Sequence, residues 1–229
     1  MNIEKVKWDS DFFGYNVSKL EITDENILPL DIVINNDYKL LYIFSKTALP
    51  DSFLKKTNSY LVDEKVIFSK KKSDIPVSKD FTCIRDLGVT TNDIYNLAFE
   101  SGEYSRYNID RNFVRDEFKK LYACWIENSI KKIIADKSVG YYLDDKLTGI
   151  ITFKAKDNKL DIGLIAVDKE YRGKKIGSCL LDFAMYYTQQ NNYSQITVAT
   201  QAKNFSAVNF YIRNGYTLTD KTHVYHLWK

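Results

Sequence analysis

The chain has 229 residues, 45% of them hydrophobic, with only three prolines and nine glycines, so a disordered or low-complexity protein is excluded and a sizeable core is expected. Thirty-three Lys and Arg against 30 Asp and Glu leave a formal charge of +3, too little for an overall field that recruits nucleic acid or an anionic membrane surface, and neither is expected as a partner. Cys83, Cys124 and Cys179 are widely spaced and odd in number, which argues against a disulfide framework or a zinc site, and no apolar run approaches the roughly 20 residues of a membrane span, so the expected location is the cytoplasm.

Three strand-like stretches open the chain, "WDSDFFGYNVSKLEI", "YKLLYIFSK" and "SYLVDEKVIFSK". The charged "KKKSDIPVSKD" that follows reads as a linker near residues 70 to 80, or equally as a surface loop inside one domain. The linker reading divides the chain into an amino-terminal α/β domain, 1–75, and a second domain, 76–229. "TTNDIYNLAFESG" has the polar start and glycine stop of a short helix, with Thr91 or Asn92 as cap and Gly102 as end. A longer helix is predicted in "RDEFKKLYACWIENSIKKII", where Phe118, Leu121, Trp125, Ile126, Ile130 and Ile133 share a face.

"LTGIITFKAKDNKLDIGLIAV" predicts two strands joined at Asp157 and Asn158, and Gly163 inside the second strand suggests a bulge or a close backbone approach. A helix from about Lys175 to Gln189, a strand in "SQITVAT", a helix in "NFSAVNFYIRNG" and a strand in "DKTHVYHLWK" complete the order. An antiparallel hairpin followed by alternating helices and strands implies a mixed α/β (α+β) sheet. His223 and His226, three apart in a strand, should face opposite sides, so no metal site is expected there.

The stretch "VDKEYRGKKIGSCLL" places a cation-rich turn between a strand ending at Val167 and a helix starting near Lys175. Free backbone N–H groups at such a helix start form an anion site, with Gly173 and Gly177 allowing close approach and Arg172, Lys174 and Lys175 adding charge. The same residues would also make an ordinary solvated basic helix start. A P-loop is excluded, because "GKKIGS" lacks the required Lys-Ser/Thr pair after a Gly-rich tetrad.

"IAVDKEYRGKKIGSCLL" resembles the acetyl-CoA signature of the GNAT acetyltransferase superfamily. That resemblance implies a GNAT fold, acetyl-CoA as cosubstrate, and cofactor contacts along Ile165, Ala166 and Val167 and in the turn from Arg172 through Ile176 and Gly177 to Ser178. Lys175 stands where the family usually has glycine. In "VATQAKNFSAVNFYIRNGY" the resemblance assigns a cofactor contact to Asn204 and a place against the thioester sulfur to Tyr211, which taken alone reads as a half-buried core aromatic.

"WDSDFFGYNVSKLEI", "YSRYNIDRNF", "YACWIEN" and "IRNGY" are similar to the dTDP-fucosamine N-acetyltransferase group. This implies a smaller amino-terminal domain resembling part of a GNAT fold, a homodimer, and direct attack of a nucleotide-linked amino sugar on the thioester in a ternary complex. Tyr211 would then protonate the leaving sulfur, and Asp63 or Glu64 acting through water, or else bulk solvent, would take the proton of the amine. Tyr104, Arg106, Tyr107 and Trp125 become the candidate acceptor residues, and Tyr104, Arg106, Tyr107 and Arg111 are of types that suit an anionic nucleotide and its planar base. A protein, polyamine or aminoglycoside acceptor, or a non-enzymatic sensor of acetyl-CoA, are the alternatives.

Overall fold

The computed structural model describes residues 3–23, 30–35, 37–77, 80–114 and 116–229. In chain order these form β1 (Glu4–Lys5), α1 (Lys7–Phe13), β2 (Val17–Ile22), α2 (Leu30–Asn35), β3 (Leu40–Ser45), α3 (Asp51–Thr57) and β4 (Tyr60–Lys71). β5 (Ile84–Asp86), α4 (Asn92–Ser101), α5 (Arg106–Ile109), α6 (Glu117–Ile130), β6 (Lys137–Leu143), β7 (Lys146–Lys156) and β8 (Lys159–Val167) come next. A 3-10 turn (Lys169–Tyr171), α7 (Ile176–Gln190), β9 (Gln195–Gln201), α8 (Phe205–Arg213) and β10 (Thr217–Trp228) close the chain.

Among the described residues the strands form a ten-stranded sheet in the order β1-β2-β3-β10-β4-β9-β8-β7-β6-β5. The pairs β2/β3 and β8/β9 are parallel and the others antiparallel, which is the mixed sheet that the patterning predicts. The division expected at residues 75 and 76 is not a division of the sheet. β4, from the first segment, sits between β9 and β10 of the second, and β10 in turn pairs with β3. Backbone hydrogen bonding thus runs without a break from one segment into the other. The supposed linker begins inside β4, and residues 78 and 79 of it lie outside the described residues.

Local chemistry explains most element ends. The Thr91 hydroxyl accepts the Ile94 N–H at the start of α4, and the Asn204 carbonyl oxygen accepts the Ala207 N–H at the start of α8. Asp157 and Asn158 both take left-handed φ, 50° and 60°, as a tight hairpin turn requires. Two expectations are corrected. "WDSDFF" belongs to a helix, α1, closed by Gly14 at φ 76°, and only the residues from Val17 onward form a strand. α6 stops at Ile130, because Lys132 turns left-handed at φ 58°, leaving Ile133 61% exposed instead of on the buried face.

His226 is fully buried on β10 and its Nδ1 meets Asp110 Oδ2 at 2.6 Å. Trp228 Nε1 donates to the same oxygen at 2.9 Å, while Tyr60 Oη and the Asn112 N–H donate to Oδ1 at 2.9 and 3.0 Å. Burial alone would raise the Asp110 pKa, but these donors outweigh it and hold the carboxyl well below the usual range. Burial also lowers the His226 pKa to about 4, so the imidazole is a neutral donor at pH 7. The cluster fixes the end of α5 to β4 and β10. His223 points the other way, toward Glu64, so the two histidines do face opposite sides of the sheet.

One irregularity shapes everything beside it. β8 pairs with β9 only from Lys159/Gln195 to Ile162/Val198; beyond that the strands part, and β9 continues on β4 alone. The parting coincides with a bulge in β8, where Gly163 and Leu164 together face Thr152 of β7. The Leu164 N–H, displaced from the ladder, is taken by Thr152 Oγ1 at 3.0 Å, and that oxygen also lies 3.0 Å from where a Cβ on Gly163 would stand. Gly163 therefore marks both a bulge and a close approach, the two readings its position in the sequence allows. Thr152→Val keeps the shape but strips the buried Leu164 N–H of its acceptor, so it should lower unfolding stability by about 1–3 kcal/mol in urea titrations.

Candidate active site

The parted strands open a cleft of about 860 Å³. Gly163 to Val167 form one wall and Val198 to Gln201 the other, with the start of α7 and the inner face of α8 at one end and β4, α5 and α6 at the other. Between Gly163 and Val167 the β9-facing edge of β8 has no strand partner, so its main-chain groups are open to a ligand apart from the Val167 carbonyl, which Arg172 holds, and Ile165, Ala166 and Val167 line the cleft there.

The turn into α7 is built for an anion. Asp168 accepts the Glu170 N–H at 2.9 Å and starts the 3-10 turn; Arg172 is extended, Gly173 turns at φ 81° and Lys175 at φ 62°. Lys175 is the cap residue of α7 and its side chain makes no capping bond. The first N–H bonded within the helix is that of Cys179, to the Lys175 carbonyl at 3.0 Å, so the amides of Ile176, Gly177 and Ser178 are free to hold an oxyanion at the positive end of the helix dipole. Gly177 packs under Phe210 of α8, whose ring atom would be 3.0 Å from a Cβ there. Arg172 Nε donates to the Val167 carbonyl at 3.1 Å and its Nη2 to Glu100 Oε2 at 3.2 Å, so the guanidinium is tied across the mouth of the cleft to α4. Lys174 does not line the cleft. Its ammonium sits 4.5 Å from the centre of the Tyr171 ring, outside the turn.

Tyr211 lies on the cleft side of α8, 3% exposed, against the rings of Phe68, Phe210 and Tyr216 at 5.7, 5.4 and 5.9 Å. It is both a core aromatic and a cleft residue. Burial raises its pKa, so the phenol keeps its proton throughout the neutral range. Asn204 also lines the cleft, but its carbonyl oxygen is engaged as the α8 cap, which leaves the amide nitrogen as the group it can offer.

β4 brings the two acidic candidates to the same place and then separates them. Neighbouring residues on a strand point to opposite faces. Asp63 faces the cleft, 7% exposed, whereas Glu64 turns away to Lys221 at 2.5 Å and His223 at 3.5 Å and does not line it. Burial pushes the Asp63 pKa up to about 6, with Arg106 and Lys65 opposing the rise. Glu64 is instead lowered by its bond to Lys221. The same pleat puts Lys65 beside Asp63 in the cleft, a residue the i, i+2 spacing makes findable once Asp63 is chosen.

Tyr104, Arg106, Tyr107 and Trp125 all line the same cleft as the α7 turn. Arg106 lies 4.7 and 4.6 Å from the centres of the Tyr42 and Tyr107 rings and donates Nη2 to Tyr107 Oη at 2.6 Å. Tyr107 meets Trp125 edge-on at 5.9 Å. Glu100, at the end of α4, has no local sequence signal for its place in the cleft, which arises from long-range packing of α4 on β8.

Comparison with known proteins agrees with this geometry. Residues 92–216 match the model of the Acetyltransferase (GNAT) family. Among curated proteins, the chain is 27% identical over 138 residues to the "Spore coat polysaccharide biosynthesis protein SpsD" of Bacillus subtilis, covering 60% of this chain and 47% of SpsD, so the match spans about half of that relative's length. It is 28% identical over 127 residues to "Streptothricin acetyltransferase A" of the same organism, covering 53% of this chain and 69% of that one. Among solved structures, a GCN5-related N-acetyltransferase from Kribbella flavida superimposes with a TM-score of 0.55 over 93% of this chain and 81% of its own, at 11% identity, a likeness of fold alone. The matched family residues contain β8, the cation-rich turn, α7, β9 and α8, most of the elements around the cleft though not β4, and the chain belongs to the acetyltransferase (GNAT) family, a family of acyltransferases.

Proposed function

We propose that the protein transfers the acetyl group of acetyl-CoA to the amine of a nucleotide-linked amino-deoxysugar, by direct attack in a ternary complex. The observation that carries the reading is that one cleft holds an uncapped helix start at one end, a buried phenol in its wall, and a buried carboxylate with an aromatic-lined cation at the other. The amides of residues 176 to 178, with Arg172, suit the pyrophosphate of acetyl-CoA, and the open edge at Ile165 to Val167 suits its pantetheine arm. The name of SpsD supports a carbohydrate acceptor. That of the streptothricin acetyltransferase favours a second reading, a free small-molecule amine.

In this mechanism the acceptor nitrogen attacks the thioester carbonyl carbon, a C–N bond forms, and the C–S bond breaks. Asp63, ionised above about pH 6, takes the proton leaving the amine, directly or through one water. Tyr211 gives its proton to the departing thiolate. A phenol at 10 or above passing a proton to a thiolate near 8.5 runs uphill by at least about 2 kcal/mol, a modest step between groups held in contact. Tyr104, Arg106, Tyr107 and Trp125 orient the nucleotide end of the acceptor.

Thiol release from acetyl-CoA, followed over a panel of nucleotide-linked amino sugars, free amino sugars, peptides and polyamines, tests the reading. Turnover confined to the nucleotide-linked sugars is expected, and turnover only on polyamines or peptides overturns it. Tyr211→Phe should lower turnover by about 10²-fold to 10⁴-fold with acetyl-CoA affinity nearly unchanged; wild-type turnover where chemistry limits the rate would return Tyr211 to a packing role. The wild-type kcat/KM should fall tenfold per pH unit below about 6, as Asp63 takes up a proton, and Asp63→Asn should remove that acidic limb along with most of the rate. Calorimetry with acetyl-CoA should find Arg172→Ala weaker by about tenfold or more. Lys175→Gly should bind at least as well as wild type and gain about 0.5–1 kcal/mol of stability from relief of the left-handed backbone.

A further inference from the structure

The charges lining the cleft do not balance evenly along it. At the α7 end, Glu100 pairs with Arg172 at 3.2 Å, and Glu103 pairs with Lys169 at 3.7 Å. At the β4 end the situation is reversed: Lys65 and Arg106 both face the cleft, and among the described residues neither has a carboxylate within ion-pair distance. Asp63 is the acid beside them and belongs to the same strand face as Lys65. Asp220, the other carboxylate that Lys65 senses, is held by Lys46 at 2.6 Å.

The arrangement is fixed by packing. α5 packs on β4, which sets Arg106 over the strand that carries Lys65. Arg106 lies within about 5 Å of the Tyr42 and Tyr107 ring centres, at 4.7 and 4.6 Å, and its Nε is buried without a hydrogen-bond partner. Aromatic faces thus hold the guanidinium, with Asp9 behind the Tyr42 and Tyr107 hydroxyls and Asp63 in the cleft as the nearby carboxylates, neither of them in a direct ion pair with it. Lys65 is half-buried, and burial together with the charge of Arg106 lowers its pKa. Two like charges facing one cleft, each partly stripped of water and offset there by Asp63 alone, are stabilised by an anion that enters it. Asp63 cannot serve as that anion during turnover if it spends its charge on the amine proton.

We propose that Lys65 and Arg106 form a phosphate-binding subsite at the acceptor end of the cleft, so that the amine acceptor carries a phosphate or pyrophosphate group read by Lys65. This rests on the acetyl-transfer reading above and deepens it by naming Lys65 as a specificity residue. Two cations that face the cleft without a direct ion pair, beside the single lining carboxylate of Asp63, suit a doubly charged oxyanion, with Arg106 fixed in orientation and Lys65 as a mobile point charge. A cationic acceptor would meet repulsion at the same place.

The test separates the subsite from the chemistry. Inorganic pyrophosphate is titrated by calorimetry into protein saturated with desulfo-CoA, which fills the α7 end, for wild type, Lys65→Met and Lys65→Arg. Pyrophosphate should bind wild type, bind Lys65→Met at least about tenfold more weakly, the least that losing one charge-assisted hydrogen bond brings, and bind Lys65→Arg within about threefold of wild type. Absence of binding to wild type, or equal binding to Lys65→Met, overturns the subsite. Retained desulfo-CoA affinity identifies each variant as folded. Kinetics add a second readout: the ratio of kcat/KM for a phosphorylated over an uncharged acceptor amine should fall by about tenfold in Lys65→Met. An unchanged ratio overturns the assignment of Lys65. Pyrophosphate binding that depends on Lys65, in a protein that acetylates no nucleotide-linked sugar, would sink the sugar reading while leaving the phosphate subsite standing.

Discussion

The cleft exists because one backbone amide changes partner. Leu164 is displaced from the β7–β8 ladder by a single extra residue, and its N–H is taken up by the Thr152 hydroxyl. A buried amide left without an acceptor would cost about 1–3 kcal/mol, so the hydroxyl makes the bulge tolerable and the absence of a Cβ at Gly163 makes it fit. The bulge bends β8 away from β9 just past Ile162 and Val198. Everything that could hold a substrate, the open strand edge, the helix start and the phenol, is arranged around that parting.

β4 has the complementary role. By filling the place between β9 and β10 it keeps β9 hydrogen-bonded after β8 has left it, so the cleft opens on one side of β9 only. Its twelve residues present Val66 and Phe68 to the core under Tyr211 and Asp63 and Lys65 to the cleft. The buried Asp110 cluster then ties α5 to both β4 and β10, which keeps Arg106 and Tyr107 above the same strand. Residues from the first 75 of the chain are therefore walls of the cleft, and removing that segment would expose β9 and the core behind it as well as deleting an accessory unit.

The sequence made the local half of this legible. The hairpin at Asp157 and Asn158, the caps at Thr91 and Asn204, and the turn from Arg172 to Ser178 are all set by residues within a few positions of one another. Where tertiary contacts decide, the pattern misleads. "WDSDFF" is rich in residues that favour strands, yet the Asp9 carboxylate accepts the Tyr42 hydroxyl at 2.9 Å and Phe13 packs on Phe113 at 5.2 Å, contacts available to a helix. The choice between Asp63 and Glu64 needed only the pleat and a knowledge of which face β4 buries. That face depends on β4 lying between β9 and β10, a pairing between residues more than 120 positions apart that no local signal carries.

The distribution of charge gives the cleft a direction. At the α7 end the Arg172 guanidinium is already engaged with Glu100, whose pKa burial raises even as Arg172 opposes it. An entering pyrophosphate would offer Arg172 a more highly charged partner and compete with that carboxylate, while the amides of residues 176 to 178 have no backbone partner to give up among the described residues. At the β4 end, among the described residues, Lys65 and Arg106 have no direct ion pair to break, Asp63 being the carboxylate beside them. Two anionic ligands entering from opposite ends would each be drawn to its own cations and pushed apart by their own charge. Their uncharged portions would then meet within the cleft that Tyr211 and Asp63 both line. Under the proposed reading, cations at the α7 start and on β4 would position a thioester and an amine by the parts of each molecule that do not react.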